Sequence, residues 1–247
     1  MTAPTGGDGS GHPALAGRTV WITGASRGIG AATARNLAAA GARVALTARG
    51  REPLEAIAGE VGGTAVPGDV TDPAEVERIG ARVRSLFDGA PDLLVASAGV
   101  FDIASIEETS PEILARNLDV NLRGSFLAVR SVLPGMRERG SGLVIQIGSI
   151  SGRKAFPGNA AYSASKFGLR GFHEVLLEEL RGSGIRATLV EPAATDTPIW
   201  DPLDPDGDPN LPPRSAMMSP DDVAEAVRFV ATRPPGIQIP FLPLERG

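Results

Sequence analysis

The sequence predicts an α/β fold, a single domain built on a parallel sheet of about seven strands that is doubly wound, with helices on both faces. Short apolar, β-branched runs alternate with helical patterns along the chain, at about 30 residues per unit. Composition does not change between these units, which predicts one domain rather than two. With 42% hydrophobic residues among 247, the chain can bury a sizeable core.

The first units of this alternation show clear strand and helix signals. RTVWIT (18–23) is an apolar, β-rich run, and the alanine-rich helix that follows it is closed by Gly41. RVALTA (43–48) predicts a second strand and EPLEAIAGE (52–60) a helix. TAVPGDV (64–70) predicts a short third strand.

The middle of the chain continues the pattern. A helix begins with Asp72 as its N-cap and Pro73 in its first position, both preferred at helix starts. DLLVASAG (92–99) predicts a buried strand, and two helices are expected over 111–118 and 120–139.

The last third predicts the remaining elements. GLVIQIGS (142–149) is a fifth strand, and a helix over 160–181 ends near a glycine. IRATLVEP (185–192) is a sixth strand, and a last helix (220–232) precedes a short strand, IQIPFL (237–242).

Composition limits the partners of the chain. A net charge of −5 without a block of like charge does not suggest a nucleic-acid partner, and no apolar run approaches the roughly 20 residues that span a membrane. The chain has no cysteine, and His12 and His173 have no partner histidine nearby, so no metal site is expected. Residues 1–16 lack a signal-peptide pattern and predict a disordered leader, which is compatible with a cytoplasmic location.

A glycine-rich loop, TGASRGIG (23–30), joins the first strand to the first helix. Glycines there allow a tight turn and close approach of the backbone to a ligand, and the helix N-terminus offers free N–H groups to phosphate. The Gly-x-x-x-Gly-x-Gly spacing differs from the commoner dinucleotide fingerprint. Its position after the first strand favours a dinucleotide site over an ordinary glycine-rich turn.

The end of the second strand indicates which dinucleotide binds. An acidic residue there would bind the ribose hydroxyls of NAD. The chain has Ala48 followed by Arg49, and Arg27 lies in the glycine loop; two guanidiniums suit a 2′-phosphate. We therefore expect NADP (NADPH) rather than NAD, the alternative being that Arg49 and Arg51 are ordinary surface charges.

The stretch AYSASK (161–166) holds the only tyrosine of the chain and one of two lysines. Tyr162 and Lys166 are four residues apart, so they lie on one face of a helix. A nearby ammonium lowers the pKa of a phenol toward the range useful for acid–base catalysis. The alternative is a half-buried aromatic residue beside a lysine that reaches toward solvent.

Taken together with their order, these motifs resemble the short-chain dehydrogenase/reductase family, in its single-domain branch of Rossmann type, over about residues 17–240. Asn121 in LDVNLRG, Ser149 in IGSISG, Tyr162 and Lys166 match the family's catalytic tetrad, and Asp69 and Val70 in GDV match its adenine-flanking segment. The positions that correspond to the family's cofactor contacts are Gly24, Ser26, Arg27, Gly28, Ile29, Gly30, Arg49, Asp69, Val70, Ser97, Ala98, Gly99, Tyr162, Lys166, Pro192 and Thr197.

The resemblance implies hydride transfer between nicotinamide and a carbonyl or secondary alcohol of a small substrate. Tyr162 would pass the proton, Ser149 would hydrogen-bond the carbonyl oxygen, and Lys166 would hold the ribose and lower the pKa of Tyr162. Asn121 would position a water that relays protons to Lys166. The alternatives are an epimerase or dehydratase on the same scaffold and a non-catalytic NADP-sensing module.

Two segments depart from the family's pattern. The usual NNAG is ASAG (96–99), so Ser97 is expected to supply the polar support of that loop. The usual Pro-Gly after the sixth strand is PAATDT (192–197), in which Ala193 replaces the glycine while Thr197 still matches a cofactor contact.

The irregular, proline-rich stretch 195–217 corresponds to the family's substrate lid. Arg153 could bind an anionic group of the substrate, the alternative being a surface salt bridge. The C-terminus lacks the glycine-rich ending of acyl-carrier-protein reductases, which argues against a role in fatty-acid synthesis. Small hydroxy acids, sugars or secondary-metabolite ketones are the expected substrates. The resemblance also implies a homo-oligomer, a dimer or tetramer, through the 111–139 and 160–181 helices. Lid residues expected to line an apolar pocket are Ile199, Trp200, Leu203, Met217 and Met218, the alternative being a lid that packs only on itself. Phe156, like Arg153, lies between Ser149 and Tyr162, a region that often faces substrate in the family.

Overall fold

The computed structural model describes residues 14–247 and contains one seven-stranded sheet in which every pair of neighbouring strands is parallel. The lateral strand order is β3-β2-β1-β4-β5-β6-β7, so the chain reverses its direction of travel between β1 and β4. In such sheets the ligand crevice lies at the carboxyl ends of the strands, beside that reversal. The strands are β1 Thr19–Thr23, β2 Arg43–Thr47, β3 Thr64–Ala65, β4 Leu93–Ala96, β5 Gly142–Ile147, β6 Ile185–Pro192 and β7 Phe241–Leu244.

Seven helices connect and cover these strands in the described part of the chain. They are α1 Gly28–Ala39, α2 Arg51–Glu60, α3 Pro73–Phe87, α4 Pro111–Asn117, α5 Gly124–Arg139, α6 Ala160–Glu179 and α7 Pro220–Ala231. Asp72 caps α3 as expected, its side chain accepting hydrogen bonds from the backbone N–H groups of Ala74 (2.8 Å) and Glu75 (3.3 Å).

Two apolar clusters lie on opposite faces of the sheet. Successive side chains of a strand point to opposite faces, so Ile22 of β1 packs in the cluster with α1, α2 and α7, whereas Trp21 packs in the cluster with α3, α5 and α6. In β4, Val95 likewise packs in the cluster of Ile22, and Leu94 packs in the cluster of Trp21. Both faces are therefore buried, which confirms the doubly wound architecture.

Four predicted elements, two helices and two strands, differ from the structure. The helices predicted over 111–118 and 120–139 form one continuous rod, because a π-helical segment, Leu118–Arg123, joins α4 to α5. The third strand covers only 64–65, and the last strand lies at 241–244 rather than 237–242. Sequence periodicity does not show a π-helical segment, since the extra residue per turn depends on tertiary contacts.

The N-terminal boundary also differs. Residues 1–13 of the predicted leader lie outside the described residues. Leu15, which the prediction placed in the leader, is buried in the core, and its N–H donates to the Ala40 carbonyl (2.8 Å). The packed domain therefore includes at least Leu15.

The stretch 195–217 crosses the carboxyl edge of the sheet and contains two short 3₁₀ segments, Pro198–Leu203 and Arg214–Ala216. The Arg214 guanidinium joins them, donating to Asp196 (2.5 Å) and Asp201 (2.7 Å). Across residues 14–247, none of the helices combines the length and apolarity that crossing a membrane requires.

Candidate active site

A cavity of about 1090 Å³ opens at the carboxyl ends of the central strands. Its walls come from the glycine loop after β1, the loop after β4, the segment after β5, the start of α6 and the stretch after β6. Pockets for one drug-sized ligand measure about 300–1,000 Å³, so this cavity lies at the upper end of that range and has room for an extended ligand such as a dinucleotide.

The glycine loop has the shape of a cofactor cradle. A Cβ added at Gly24, where φ is +68°, would lie 2.7 Å from the Ala98 Cα. A Cβ at Gly30 would lie 2.2 Å from the Gly24 carbonyl oxygen, closer than any real contact. These glycines are required for the strand, loop and helix to meet as they do, and the helix N-terminus then faces the cavity. The residues present therefore fit a dinucleotide.

Two arginines stand at the end of the cavity next to β2. Arg27 and Arg49 both line it and are exposed, and Ala48 lies at the end of β2, where an NAD-binding acid would stand. Within residues 14–247, neither guanidinium is in an ion pair. Asp69 also lines this end, but its Oδ1 accepts hydrogen bonds from the N–H (2.8 Å) and hydroxyl (2.9 Å) of Thr71.

The ASAG loop is held by residues outside it. The Thr23 hydroxyl oxygen accepts from the N–H groups of Ser97 (3.2 Å) and Ala98 (3.3 Å). The Asn121 side chain accepts from Val100 N–H (2.8 Å) and donates to its carbonyl (3.0 Å). The expectation that Ser97 supplies the polar support is therefore wrong; Thr23 and Asn121 supply it.

Asn121 lies in the π-helical segment and is 1% exposed. Its amide nitrogen also donates to Ser165 Oγ (2.9 Å), and that hydroxyl donates to the Tyr162 carbonyl (2.7 Å). In the structure the Asn121 side chain thus joins the loop after β4 to the turn of α6 that carries Tyr162. Its expected role in a proton relay stays a prediction.

Ser149, Tyr162 and Lys166 line the same cavity. Ser149 follows β5, its hydroxyl oxygen accepts from the Ser151 N–H (3.1 Å), and it stands close enough to the Tyr162 phenol to affect the pKa of that group. The Lys166 ammonium donates to the Ile147 carbonyl (2.9 Å) and lies 5.6 Å from the centre of the Tyr162 ring. Helix spacing thus brings the pair together as predicted.

The electrostatics of this pair differ from the prediction. Burial raises the pKa of Tyr162 to about 12, and the hydrogen bond from Ser149 opposes this rise. Burial lowers the pKa of Lys166 to about 8. The expected lowering of the phenol pKa by Lys166 is not the dominant effect, because the ammonium binds a backbone carbonyl and stands over the ring.

Beyond Tyr162 the cavity is apolar and aromatic. The Phe101 ring packs edge-on against Tyr162 (4.7 Å between centroids) and against Trp200 (4.8 Å). Of the predicted pocket residues, Ile199, Trp200 and Phe156 line this end of the cavity, whereas Leu203, Met217 and Met218 do not. Arg153 forms an ion pair with Glu245, which confirms the salt-bridge alternative.

Sequence reasoning missed Phe101, Ile103 and Asn159, which also line the cavity. Phe101 and Ile103 lie in a loop without periodicity, so nothing local marked them. Asn159 lies one helical turn before Tyr162, and that spacing was the available signal.

A doubly wound sheet, a glycine cradle at the switch point and a Ser–Tyr–Lys cluster facing it define a dinucleotide-dependent oxidoreductase. No cluster of metal-ligating side chains occurs within residues 14–247. The chain belongs to the short-chain dehydrogenase/reductase family, because the model described as short chain dehydrogenase matches residues 18–208. The protein is therefore an NAD(P)-dependent oxidoreductase that acts on alcohols and ketones.

Relatives in several organisms share this sequence pattern. The chain is 36% identical over 227 residues to D-threitol dehydrogenase of Mycolicibacterium smegmatis, covering 88% of this chain and 87% of the relative. It is 37% identical over 196 residues to D-beta-hydroxybutyrate dehydrogenase of Rhizobium meliloti, and the match covers 76% of this chain and 76% of the relative. It is 36% identical over 231 residues to glycine betaine reductase ATRR of Emericella nidulans, covering 89% of this chain but spanning only 18% of that relative's length.

Solved structures of similar proteins have the same fold. A metagenomic short-chain oxidoreductase in complex with NADP superposes with a TM-score of 0.79 at 32% identity, covering 95% of this chain and 99% of that one. Levodione reductase superposes with a TM-score of 0.84 at 28% identity, covering 94% of this chain and 97% of that one.

Proposed function

We propose that the protein is an NADP-dependent oxidoreductase in which Asn121, Ser149, Tyr162 and Lys166 form the catalytic site. The observation that carries the proposal is that Ser149, Tyr162 and Lys166 face one cavity opposite the glycine cradle. When bound, the nicotinamide supplies or accepts the hydride exchanged with the substrate carbon.

The protonation states follow from the site. A phenol whose pKa is about 12 carries its proton at neutral pH, so Tyr162 is ready to donate it to a carbonyl oxygen. The Ser149 hydroxyl is placed to hydrogen-bond the same oxygen and to stabilise the charge that develops on it. The Lys166 ammonium is held at the end of β5 by the Ile147 carbonyl and lies beside the Tyr162 ring in the same cavity. The protonated phenol is therefore the proton donor of a carbonyl reduction, and the same group takes the proton back in the oxidation of an alcohol.

We propose that the cradle holds the cofactor through the residues expected from the sequence. Those that line the cavity are Gly24, Ser26, Arg27, Gly28, Ile29, Gly30, Arg49, Asp69, Val70, Ser97, Ala98, Gly99, Tyr162, Lys166, Pro192 and Thr197. The stretch 195–217 is proposed as the substrate lid of a single catalytic domain that continues to residue 247.

Replacing Tyr162 by Phe tests the catalytic proposal. The variant should lose roughly a thousandfold in turnover, because general acid–base catalysis contributes about 10²–10⁴-fold. Its measurement is NADPH absorbance with a panel of ketones and alcohols. Binding of NADPH, followed as quenching of tryptophan fluorescence, should be retained; a variant that turns over like wild type contradicts the assigned role.

The preference for NADP rests on Arg27 and Arg49. Replacing both by Ala should raise the KM for NADPH at least about tenfold while changing that for NADH little, because charge-assisted bonds to the 2′-phosphate are lost. The matched control is Arg51→Ala, since Arg51 is already paired with Glu55 (3.2 Å). An unchanged ratio of the two KM values in the double variant contradicts the assignment.

We also propose a homo-oligomer, dimer or tetramer, that associates through α4 to α6, and a cytoplasmic location. The first is supported by large apolar side chains exposed on these helices, Leu114, Phe126, Phe167 and Val175. The absence of cysteine is compatible with the second.

A further inference from the structure

Three aromatic side chains are in contact along one side of the cavity. Phe101, Tyr162 and Trp200 all line it. The Phe101 ring packs edge-on against both of the others, with 4.7 Å between its centroid and that of Tyr162 and 4.8 Å to that of Trp200. These three rings, which we call the aromatic wall, therefore form one continuous surface that includes the proposed proton donor.

The loop that carries Phe101 is anchored on both sides of this residue. Val100 N–H donates to the side chain of Asn121 (2.8 Å), and the Val100 carbonyl accepts from the same side chain (3.0 Å). The Asp102 carboxylate accepts from Asn117 Nδ2 (2.7 Å). The Phe101 ring thus belongs to a fixed part of the site, and a substrate that packs against it does not have to order the loop first.

Trp200 is held from the stretch after β6. Its side chain is nearly buried, and its indole N–H donates to the Thr195 carbonyl (3.1 Å). Its backbone N–H donates to the Thr197 carbonyl (3.1 Å). Because the indole N–H is already bonded and phenylalanine has no polar atom, Phe101 and Trp200 offer a substrate no hydrogen bond.

A surface of this kind discriminates between neutral substrates. A hydroxyl group of a polyol that is placed against Phe101 or Trp200 would lose its water without gaining a partner, which is unfavourable. An aromatic ring in the same place buries a large apolar area and can pair edge-on or offset-stacked with either side chain. The aromatic wall therefore favours a substrate that carries an aromatic ring over one that carries several hydroxyl groups.

The cations of this region do not suit an anionic substrate. Within residues 14–247, Lys166 is the buried cation that lines the cavity, and its ammonium already donates to a backbone carbonyl of β5 (2.9 Å). Arg153 is in an ion pair with Glu245. Lys154 lines the cavity but is exposed to water, and the acidic Asp208 lines it as well. A carboxylate that left water at the aromatic wall would thus be without a buried partner.

We propose that Phe101 is a specificity-determining residue and that the substrate class is a neutral ketone with an aromatic ring, which packs against the aromatic wall while Tyr162 binds the carbonyl oxygen. The carbonyl carbon accepts the hydride of NADPH and its oxygen accepts the proton of Tyr162, which gives a secondary alcohol and NADP; solvent then returns a proton to the phenol. This assignment rests on the proposed function, because it takes Tyr162 as the group that faces the carbonyl.

The test uses four methyl ketones that differ in the group on the fourth carbon of butan-2-one: hydrogen, phenyl, hydroxyl, or the carboxylate of levulinate. Their carbonyl groups are alike, so the ratios of kcat/KM with NADPH report recognition of that group. Wild type should prefer 4-phenylbutan-2-one over butan-2-one at least about tenfold, the effect of burying a phenyl ring. The hydroxyketone and levulinate should be reduced no better than butan-2-one.

Variants of Phe101 test the assigned residue. Phe101→Ala should lose at least about fivefold more kcat/KM with 4-phenylbutan-2-one than with butan-2-one, because the phenyl group loses packing area and its aromatic partner. Phe101→Leu keeps most of the apolar volume, so its preference should fall between those of Phe101→Ala and wild type. The matched control is Phe229→Ala on α7, where the ring is exposed and does not line the cavity. That control should keep the wild-type preference.

Butan-2-one distinguishes recognition from positioning. Phe101 also contacts the Tyr162 ring, so its replacement can disturb the phenol, and this disturbance lowers kcat/KM for both ketones alike. The ratio of the two values within one variant does not depend on the fraction of active protein. An equal loss with both ketones in Phe101→Ala would show that Phe101 only positions Tyr162, and it would overturn the proposal.

The remaining outcomes separate this proposal from the proposed function. Wild type that reduces these ketones without preferring the phenyl compound, or that prefers levulinate or the hydroxyketone, overturns the substrate class and leaves the proposed oxidoreductase in place. Wild type that reduces neither these nor any other ketone of the panel, nor oxidises any alcohol, overturns the proposed function, and the assignment of Phe101 with it.

Discussion

His173 is a buried polar residue that the catalytic site does not use. Its Nδ1 lies 2.8 Å from the Gln146 amide and its Nε2 lies 2.9 Å from the Pro240 carbonyl, so it joins α6 to β5 and to the segment before β7. The Gln146 amide continues this link to Ser125 Oγ (2.9 Å) on α5. Burial lowers the pKa of His173 to about 4, and the bond to Pro240 partly opposes the effect.

The lowered pKa predicts a stability that depends on pH. Below about pH 6.5 the unfolded chain takes up a proton at His173, whereas the folded protein stays neutral there until about pH 4. The free energy of unfolding should therefore fall as the pH falls, by about 2 kcal/mol between pH 7 and pH 5 from this residue. Urea unfolding at both pH values measures the change.

His173→Gln provides the comparison for this prediction. Glutamine keeps a hydrogen-bonding group but does not titrate, so the variant should be less stable at pH 7 yet lose less stability between pH 7 and pH 5. Equal pH dependence of the two proteins would show that His173 titrates normally when folded.

At the scale of the element, β1, the glycine loop and α1 form a unit with almost no free space. The glycine spacing in the sequence predicted this loop, but the contact that requires each glycine is visible only in the structure. Gly30 packs on the Gly24 carbonyl, and Gly28 faces Thr197, whose Cβ would lie 3.2 Å from an added Cβ. The loop therefore also packs closely against Thr197, which belongs to the stretch after β6.

Gly30→Ala should abolish NADPH binding, since the new methyl group collides with backbone and displaces the loop. The matched control is Gly59→Ala in α2, where an added Cβ meets nothing within 4 Å. That control should bind normally and gain about 0.5–1 kcal/mol of stability, because alanine is the better helix former. Quenching of tryptophan fluorescence and urea unfolding report the two effects; normal binding by Gly30→Ala would refute the cradle.

At the scale of the whole molecule, helices cover both faces of the sheet. The outer surface of the helices α4 to α6, which faces solvent, itself exposes large apolar side chains. Phe126 and Phe167 are 43% and 47% exposed, and Val175 is 56% exposed. Large apolar side chains exposed on the helices of one layer are a feature of association surfaces, which supports the proposed association through this layer.

The association is tested by placing a charge in that layer. Phe126→Glu combined with Phe167→Glu should convert the oligomer to monomer, measured as mass by light scattering after gel filtration, because a buried unpaired carboxylate opposes association. Ile106→Glu is the control, since Ile106 is more exposed (78%) but lies in the loop before α4. A monomeric mass for wild type would contradict the proposed oligomer, and an unchanged oligomeric mass in the double variant would contradict this interface.

The sequence predicted what depends on local pattern and spacing. The parallel sheet, the N-cap at Asp72, the glycine loop and the pairing of Tyr162 with Lys166 all follow from residues close together in the chain. The support of the ASAG loop by Thr23, the π-helical segment around Asn121 and the aromatic wall of Phe101 depend on contacts between distant segments. The raised pKa of Tyr162 was missed for the same reason, because burial of the phenol is a property of the assembled cavity.

The arrangement of the two lysines has a practical consequence for labelling. Lys166 is buried, whereas Lys154 is exposed at the cavity mouth, with its Nζ 5.3 Å from the centre of the Phe156 ring. An amine-reactive fluorophore should therefore attach to Lys154 rather than to Lys166, beside the cavity, once the α-amino terminus has been blocked. Opening and closing of the cavity mouth can then be followed optically in the unmutated protein.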